Sequence, residues 1–369
     1  MGEQVLRVSD SGRYRITRIN EDAKTVVKIH DTKTNQPVAL PKLPNGNVNF
    51  VLFSPSEKLM AMYVDADRAP SNLYVHDFAS GKTTRLTDTL GKDIDAEDLV
   101  DAEIVRFKSF DGMIIPGVLY KPHQAKSDAK APAIVMVHGG PGGQARRGYK
   151  YSAQYLANHG YVVLDINNRG SSGYGKTFFT ADDQKHGREP LWDCVEAKKY
   201  LASLPYVDGS RVAIMGGSYG GYMVAAALAF QPDVFDVGVD IFGVTNWVRT
   251  LQSIPSWWEA QRNALYAEIG NPETQLEFLR EISPVFHGDK IRKPLIVIQG
   301  KNDPRVIKPE SDDLVAAVRK NNVPVEYVVF DDEGHGFTKK KNQITAYAAI
   351  LDFLNKHMPQ RAATAASSH

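Results

Sequence analysis

Six apolar runs recur between residues 131 and 331: "APAIVMVHG" (131–139), "GYVVLDIN" (160–167), "SRVAIMG" (210–216), "FDVGVDIFG" (235–243), "KPLIVIQG" (293–300) and "VEYVVFD" (325–331). They show little alternation of polar and apolar residues, so they predict strands covered on both faces. Helical patterns lie between and after them, at about 149–158, 190–204, 219–230, 257–268, 309–321 and 342–357. Strand alternating with helix implies a mostly parallel sheet with helices on both sides. In such sheets ligand chemistry gathers at the carboxyl ends of the strands.

The first hundred residues are different. They carry short β-like runs such as "YRITRI", "TVVKIHD", "NFVLFS", "LMAMYVD" and "NLYVHDF", separated by polar turn clusters. A weak repeat joins the stretch from Ser9 to the stretch from Ser54, with His30-Asp31 and His76-Asp77 at matching places. A period near 45 residues is that of a β-propeller blade. Two blades cannot close a ring and leave strand edges open. This segment is therefore expected to pack on the next domain or to pair with another chain, including a second copy. Residues 90–112 read as an acidic linker ending in a strand at 103–108. The expected division is a β-rich segment and linker over 1–100, a catalytic domain over 101–358 and a disordered tail over 359–369.

Bulk properties exclude several functions. Lys and Arg number 44 against 43 Asp and Glu, so no electrostatic footprint for nucleic acid or an anionic membrane is visible. The lone cysteine, Cys194, excludes an internal disulfide and a cysteine-built metal site, and its helical setting suggests a buried thiol. No His/Cys/Asp cluster shows metal-ligand spacing, so neither metal nor other cofactor is expected. No apolar leader and no membrane-spanning run appears, which suggests a soluble, cytoplasmic protein.

The chemistry centres on "AIMGGSYGGYMVAAALA", residues 213–229. Glycines flank roughly 1 serine in 200 by chance, so the motif alone decides little. Its setting is more specific: a strand ends at Gly216, a helix begins at Tyr219, and Ser218 occupies the sharp turn between them. A serine hydroxyl needs a base. "KPLIVIQGKNDPRV" supplies Asp303 just past one late strand, and "VEYVVFDDEGHGF" supplies His335 just past the next. Serine, acid and histidine thus follow in the order this architecture requires. For the oxyanion hole, the N–H of Tyr219 is one candidate donor, and Gly140 in the glycine-rich "VMVHGGPGGQ" is the other.

With these residues assembled, "HGGPGGQ", "NNRGSSGYG", "GGSYGGYM", "GKNDPRV" and "DDEGHGF" together resemble the prolyl oligopeptidase family of serine peptidases, in particular its acylaminoacyl-peptidase-like branch. The resemblance covers residues 104–358. It implies an α/β-hydrolase fold preceded by a propeller that limits access to small peptides. It further implies Ser218 as nucleophile, His335 as general base then acid, and Asp303 as its orienting carboxylate. Arg305 matches a position that can lie near the substrate, or it is a surface arginine. Arg169 in "NNRGSSGYG" reads as structural. Trp247, Trp257 and Trp258 are candidates for an acyl pocket or for packing. A family member carries roughly 280 to 300 residues of propeller, whereas about 100 precede the catalytic region here.

The expected activity is cleavage of short peptides or acylated amino acids through an acyl-enzyme. A carboxylesterase acting on small esters is the alternative, because esters demand less of the catalyst than amides. An inactive or assembly fragment of a longer propeller-containing peptidase is the third reading.

Overall fold

A computed structural model of the chain describes residues 3–44, 46–254 and 258–359. Trp257 and residues 360–369, which include most of the expected tail, lie outside the described residues.

Two four-stranded antiparallel sheets come first. One comprises β1 (Glu3–Val8), β2 (Tyr14–Glu21), β3 (Lys24–Asp31) and β4 (Gln36–Val38). The other comprises β5 (Gly46–Phe53), β6 (Leu59–Ala66), β7 (Ala69–Asp77) and β8 (Thr83–Arg85). The weak sequence repeat is a repeat of hydrogen bonds. Ser9 N–H donates to Tyr14 O (2.8 Å) and Ser54 N–H to Leu59 O (2.9 Å). Asp31 Oδ1 accepts the N–H groups of Lys33 and Thr34, as Asp77 Oδ1 accepts those of Ala79 and Ser80. Alternating residues Ile16, Val27, Ile29, Val51, Met60 and Met62 turn inward and form one shared core.

The third sheet has eight strands: β9 (Ala102–Lys108), β10 (Ile114–Tyr120), β11 (Ala131–Val137), β12 (Val162–Ile166), β13 (Val207–Gly217), β14 (Val237–Ile241), β15 (Leu295–Gly300) and β16 (Val325–Phe330). Their order is β16-β15-β14-β13-β11-β12-β10-β9. Pairs from β16 to β12 are parallel, and β10 runs antiparallel to both β12 and β9. Strand β9 falls where the strand at 103–108 was expected, and β10 pairs with it as a hairpin beyond the expected linker. Pro116 and Gly117 obscure β10 in the sequence, yet Pro116 O accepts the Asn167 N–H at 2.8 Å. Within 90–100, a turn of 3-10 helix at Ala96–Asp98 leads to buried Leu99 and Val100.

The described α-helices are α1 (Tyr151–Asn158), α2 (Lys176–Phe179), α3 (Glu189–Ser203), α4 (Tyr219–Phe230), α5 (Trp247–Gln252), α6 (Glu259–Glu268), α7 (Leu276–Glu281), α8 (Lys308–Arg319) and α9 (Lys340–His357), with a further 3-10 helix at Pro284–Lys290. Of these, α2, α5 and α7 are too short to show a periodic pattern. The two faces of β11 explain its unbroken apolar run. Ala133, Val135 and Val137 pack into the core with α3 and α4, whereas Ile134 and Met136 pack into the core with α1 and α9. Helix α4 is buried along nearly its whole length, which accounts for an apolar sequence without a polar face. Cys194 is fully buried in α3. No described helix is long and apolar enough to cross a membrane.

The N-terminal sheets dock on the segment that follows β11. Asp67 is 2% exposed and pairs with Arg147. Its carboxylate also accepts the N–H groups of Ala102 (3.0 Å) and Gly148 (3.1 Å). Arg147 N–H donates to Ala23 O, Asn47 donates its side-chain amide to Arg147 O, and Arg146 donates to Thr25 Oγ1. The side-chain bonds among these join residues 35 to 121 positions apart, beyond the reach of any local pattern.

Candidate active site

Ser218 lies between the end of β13 and the start of α4, with φ 57° and ψ −118°. A non-glycine residue in this region carries a cost of about 1–3 kcal/mol. Surrounding bonds hold it there: Ser218 N–H donates to Ile241 O (2.9 Å), and Tyr222 N–H donates to Ser218 O (3.0 Å). Close approach of α4 to β11 requires glycine next to the turn, since a Cβ on Gly220 would lie 2.1 Å from Val137 O. The hydroxyl is thereby raised at the carboxyl edge of the sheet.

Asp303 and His335 reach the same point from β15 and β16. His335 Nε2 is 3.0 Å from Ser218 Oγ, and His335 Nδ1 is 2.7 Å from Asp303 Oδ2. The second oxygen of Asp303 accepts the N–H groups of Arg305 (2.8 Å) and Val306 (2.9 Å). The carboxylate is 4% exposed, so it is fixed rather than free to rotate. A carboxylate at this distance favours the tautomer with hydrogen on Nδ1, leaving the Nε2 lone pair toward the serine. Phe242 stacks obliquely on the imidazole, with centroids 4.6 Å apart.

The loop after β11 crosses over Ser218: a Cβ on Gly139 would lie 3.4 Å from the Ser218 Cβ. Gly140 is exposed, and Tyr219 is the first residue of α4. Among the described residues no acceptor takes the N–H of either one. His138 anchors this loop through Gly139 O (2.8 Å) and Ser171 Oγ (2.7 Å), and burial lowers its pKa toward the neutral ring. Sequence reading missed His138 and Phe242, because both belong to apolar or glycine-rich strand ends with no motif spacing of their own.

Arg169 is 3% exposed and held by Asp193 and Asp111, so it braces the loop over 167–175. Burial is the largest single influence and lowers its pKa, but the two carboxylates together outweigh it and raise the pKa. Arg305 is exposed beside Asp303 and makes no side-chain ion pair among the described residues. Ser218 borders a cavity of about 430 Å³ whose walls include Met136, Met215, Ile241, Phe242, Phe337 and Tyr347. Trp247 does not face this cavity. It is 3% exposed and packs on Tyr222 at 5.1 Å and Tyr219 at 6.4 Å, inside the core. Trp258 is 48% exposed at the start of α6 and is likewise absent from the cavity walls. Asp182, His186 and Glu268, which no spacing along the sequence singled out, converge in the structure.

The family model described as the prolyl oligopeptidase family matches residues 147–361, more than half of the chain. Dipeptidyl aminopeptidase BIII of Pseudoxanthomonas mexicana is 36% identical over 325 residues, covering 86% of this chain and 47% of that protein. A puromycin-hydrolyzing peptidase of Mycobacterium tuberculosis superposes with a TM-score of 0.86 at 23% identity, over 96% of this chain and 53% of the other. Pyrococcus horikoshii acylaminoacyl peptidase superposes with a TM-score of 0.82 at 24% identity, over 98% and 57%. At these identities the two structures speak for the fold. The chain spans about half or less of the length of the curated relatives it matches.

Proposed function

The chain belongs to the prolyl oligopeptidase family, and on that premise we propose that it is a serine peptidase that cleaves short peptides or acylated amino acids through an acyl-enzyme. The observation that carries this reading is the hydrogen-bonded series Ser218–His335–Asp303 at the carboxyl ends of β13, β16 and β15.

In the first step Ser218 Oγ attacks the scissile carbonyl carbon, and its proton passes to His335 Nε2. Asp303 holds the imidazole by Nδ1–H and stabilises the imidazolium that forms. Charge develops on the carbonyl oxygen, where the N–H groups of Tyr219 and Gly140 are available as donors. The dipole at the start of α4 acts in the same direction. Collapse breaks the C–N bond, and the leaving amine takes the proton from His335. Water then repeats the sequence: His335 takes its proton, the hydroxyl attacks the ester carbonyl, and Ser218 recovers its hydrogen.

The apolar cavity beside Ser218 suits an uncharged side chain or acyl group, and Arg305 is a candidate contact for a polar or anionic portion of the substrate. The relative of Pseudoxanthomonas mexicana, named for dipeptidyl aminopeptidase activity, favours dipeptide units among the substrates to test. The division into a β-rich segment over 1–100 and a catalytic domain over 101–358 is part of the same proposal, as is a cytoplasmic site of action.

The test is a side-by-side profile of kcat/KM on acetyl-amino-acid anilides, dipeptide anilides and p-nitrophenyl esters, with Ser218→Ala as control. Anilide turnover that vanishes in the variant supports the peptidase. Ester turnover with no anilide cleavage assigns a carboxylesterase instead.

A further inference from the structure

Two buried titratable groups and one half-buried one, none used by the peptidase mechanism, converge behind Tyr219. Asp182 follows α2, His186 lies four residues later, and Glu268 ends α6. One donor atom from each lies within 4.8 Å of the other two. Asp182 and His186 are both 0% exposed. Neither carboxylate oxygen of Asp182 makes a hydrogen bond, and His186 Nε2 makes none. Buried polar atoms are almost always satisfied, so three orphans on two neighbouring side chains are unusual.

We propose that Asp182, His186 and Glu268 form a binding site for a divalent transition-metal ion of the Zn²⁺ class, placed behind the residue that follows Ser218. The donor set argues for this class. An imidazole nitrogen with two carboxylate oxygens suits Zn²⁺ and its neighbours, whereas Ca²⁺ and Mg²⁺ take oxygen ligands. Three protein ligands leave a fourth position for water. Tetrahedral coordination at about 2.0–2.1 Å sets donor atoms about 3.4 Å apart, so binding draws the cluster inward. Glu268 is only half-buried, at the end of a helix, and is the ligand freest to move.

The other ring nitrogen also fits. His186 Nδ1 is 2.7 Å from Tyr219 Oη. A metal-bound imidazole donates its remaining N–H to a fixed acceptor, and Tyr219 Oη occupies that place. The electrostatics agree with the geometry. Burial, reinforced by the Glu268 carboxylate, pushes Asp182 up to about 8; burial and Asp183 push Glu268 up to about 7. Burial drives His186 down to about 3 although the main-chain carbonyl of Glu268 faces the ring. Without a cation, ionised carboxylates are disfavoured here. With one, carboxylates and a neutral imidazole are the required ligand forms.

The experiment uses the whole chain, stripped with a chelator and dialysed. Zn²⁺ is titrated in competition with a chromophoric chelator, and Co²⁺ binding is followed by its visible ligand-field absorption. Asp182→Asn, His186→Gln and Glu268→Gln are treated alike, with thermal unfolding to check each fold. The expected result is about one equivalent of Zn²⁺ per parent chain, with a rise in unfolding temperature and a Co²⁺ band, all lost in the variants. Glu268→Gln alters the half-buried ligand and keeps the test decisive if the other two fail to fold. Absence of stoichiometric uptake by the folded parent would overturn the proposal. Equal uptake by parent and Glu268→Gln would also overturn it, because the metal would then occupy surface groups.

Discussion

Replacing Asp303 by asparagine isolates the role assigned to one carboxylate oxygen. Asp303 Oδ1 accepts two N–H groups, from Arg305 and Val306, and Oδ2 lies 2.7 Å from His335 Nδ1. An asparagine oxygen can keep the first pair of bonds, so the loop after β15 retains its support. The amide nitrogen then faces His335 Nδ1 as a donor, and Nδ1 must become the acceptor. The ring hydrogen moves to Nε2, which points at Ser218 Oγ from 3.0 Å. A protonated Nε2 cannot take the serine proton. In serine peptidases this change of tautomer lowers kcat by about 10⁴, equivalent to about 5.5 kcal/mol of barrier. Asp303→Ala differs in kind: it leaves both loop N–H groups unpaired at about 1–3 kcal/mol each, so it weakens the fold as well. The assay is kcat on an anilide substrate, normalised by active-site titration, with urea unfolding of both variants. An asparagine variant that unfolds like the parent and turns over within about tenfold of it would refute the reasoning.

Two further outcomes follow from buried groups away from the triad. Asp67→Ala removes one partner of a buried ion pair that joins the N-terminal sheets to the loop after β11, leaving Arg147 13% exposed and uncompensated. It should cost about 3–5 kcal/mol in urea unfolding, and a loss below about 1 kcal/mol would show that the docking bonds contribute little. Asp240 is 0% exposed, and burial pushes its carboxyl up to about 8 against the opposing Gly243 N–H. A folded pKa raised above the unfolded value of about 3.9 means the native state binds the extra proton, so this contribution is complete below about pH 4 and is lost as pH rises toward 8. Relative to Asp240→Asn, the parent should lose stability between pH 5 and 8 with a slope approaching about 1.4 kcal/mol per pH unit. Parallel pH curves for the two proteins would dismiss that cause.

The sequence made the catalytic edge legible because each candidate residue sits just past a strand whose apolar run is unmistakable. Ser218, Asp303 and His335 lie one, three and five residues beyond β13, β15 and β16. The internal repeat was legible for a similar reason, since Asp31 and Asp77 each close a local turn. What escaped depends on distance along the chain. Asp67 meets Arg147 across 80 positions, and Glu268 comes from the end of α6 to Asp182 and His186 in the turns after α2. Strand β10 was hidden by Pro116, whose missing N–H argues against a strand although its carbonyl still pairs. Trp247 stood between pocket and packing in the sequence, because only the fold brings the Tyr219 and Tyr222 rings against it.

The most direct measurement of the central claim is the fate of Ser218 with a fluorophosphonate. The protein should take up about one label per chain, mapped by mass spectrometry to the peptide containing Ser218. Labelling should follow the loss of anilide turnover and be absent in Ser218→Ala. A parent protein that remains unlabelled, or one labelled at another residue while turnover falls, would contradict the account.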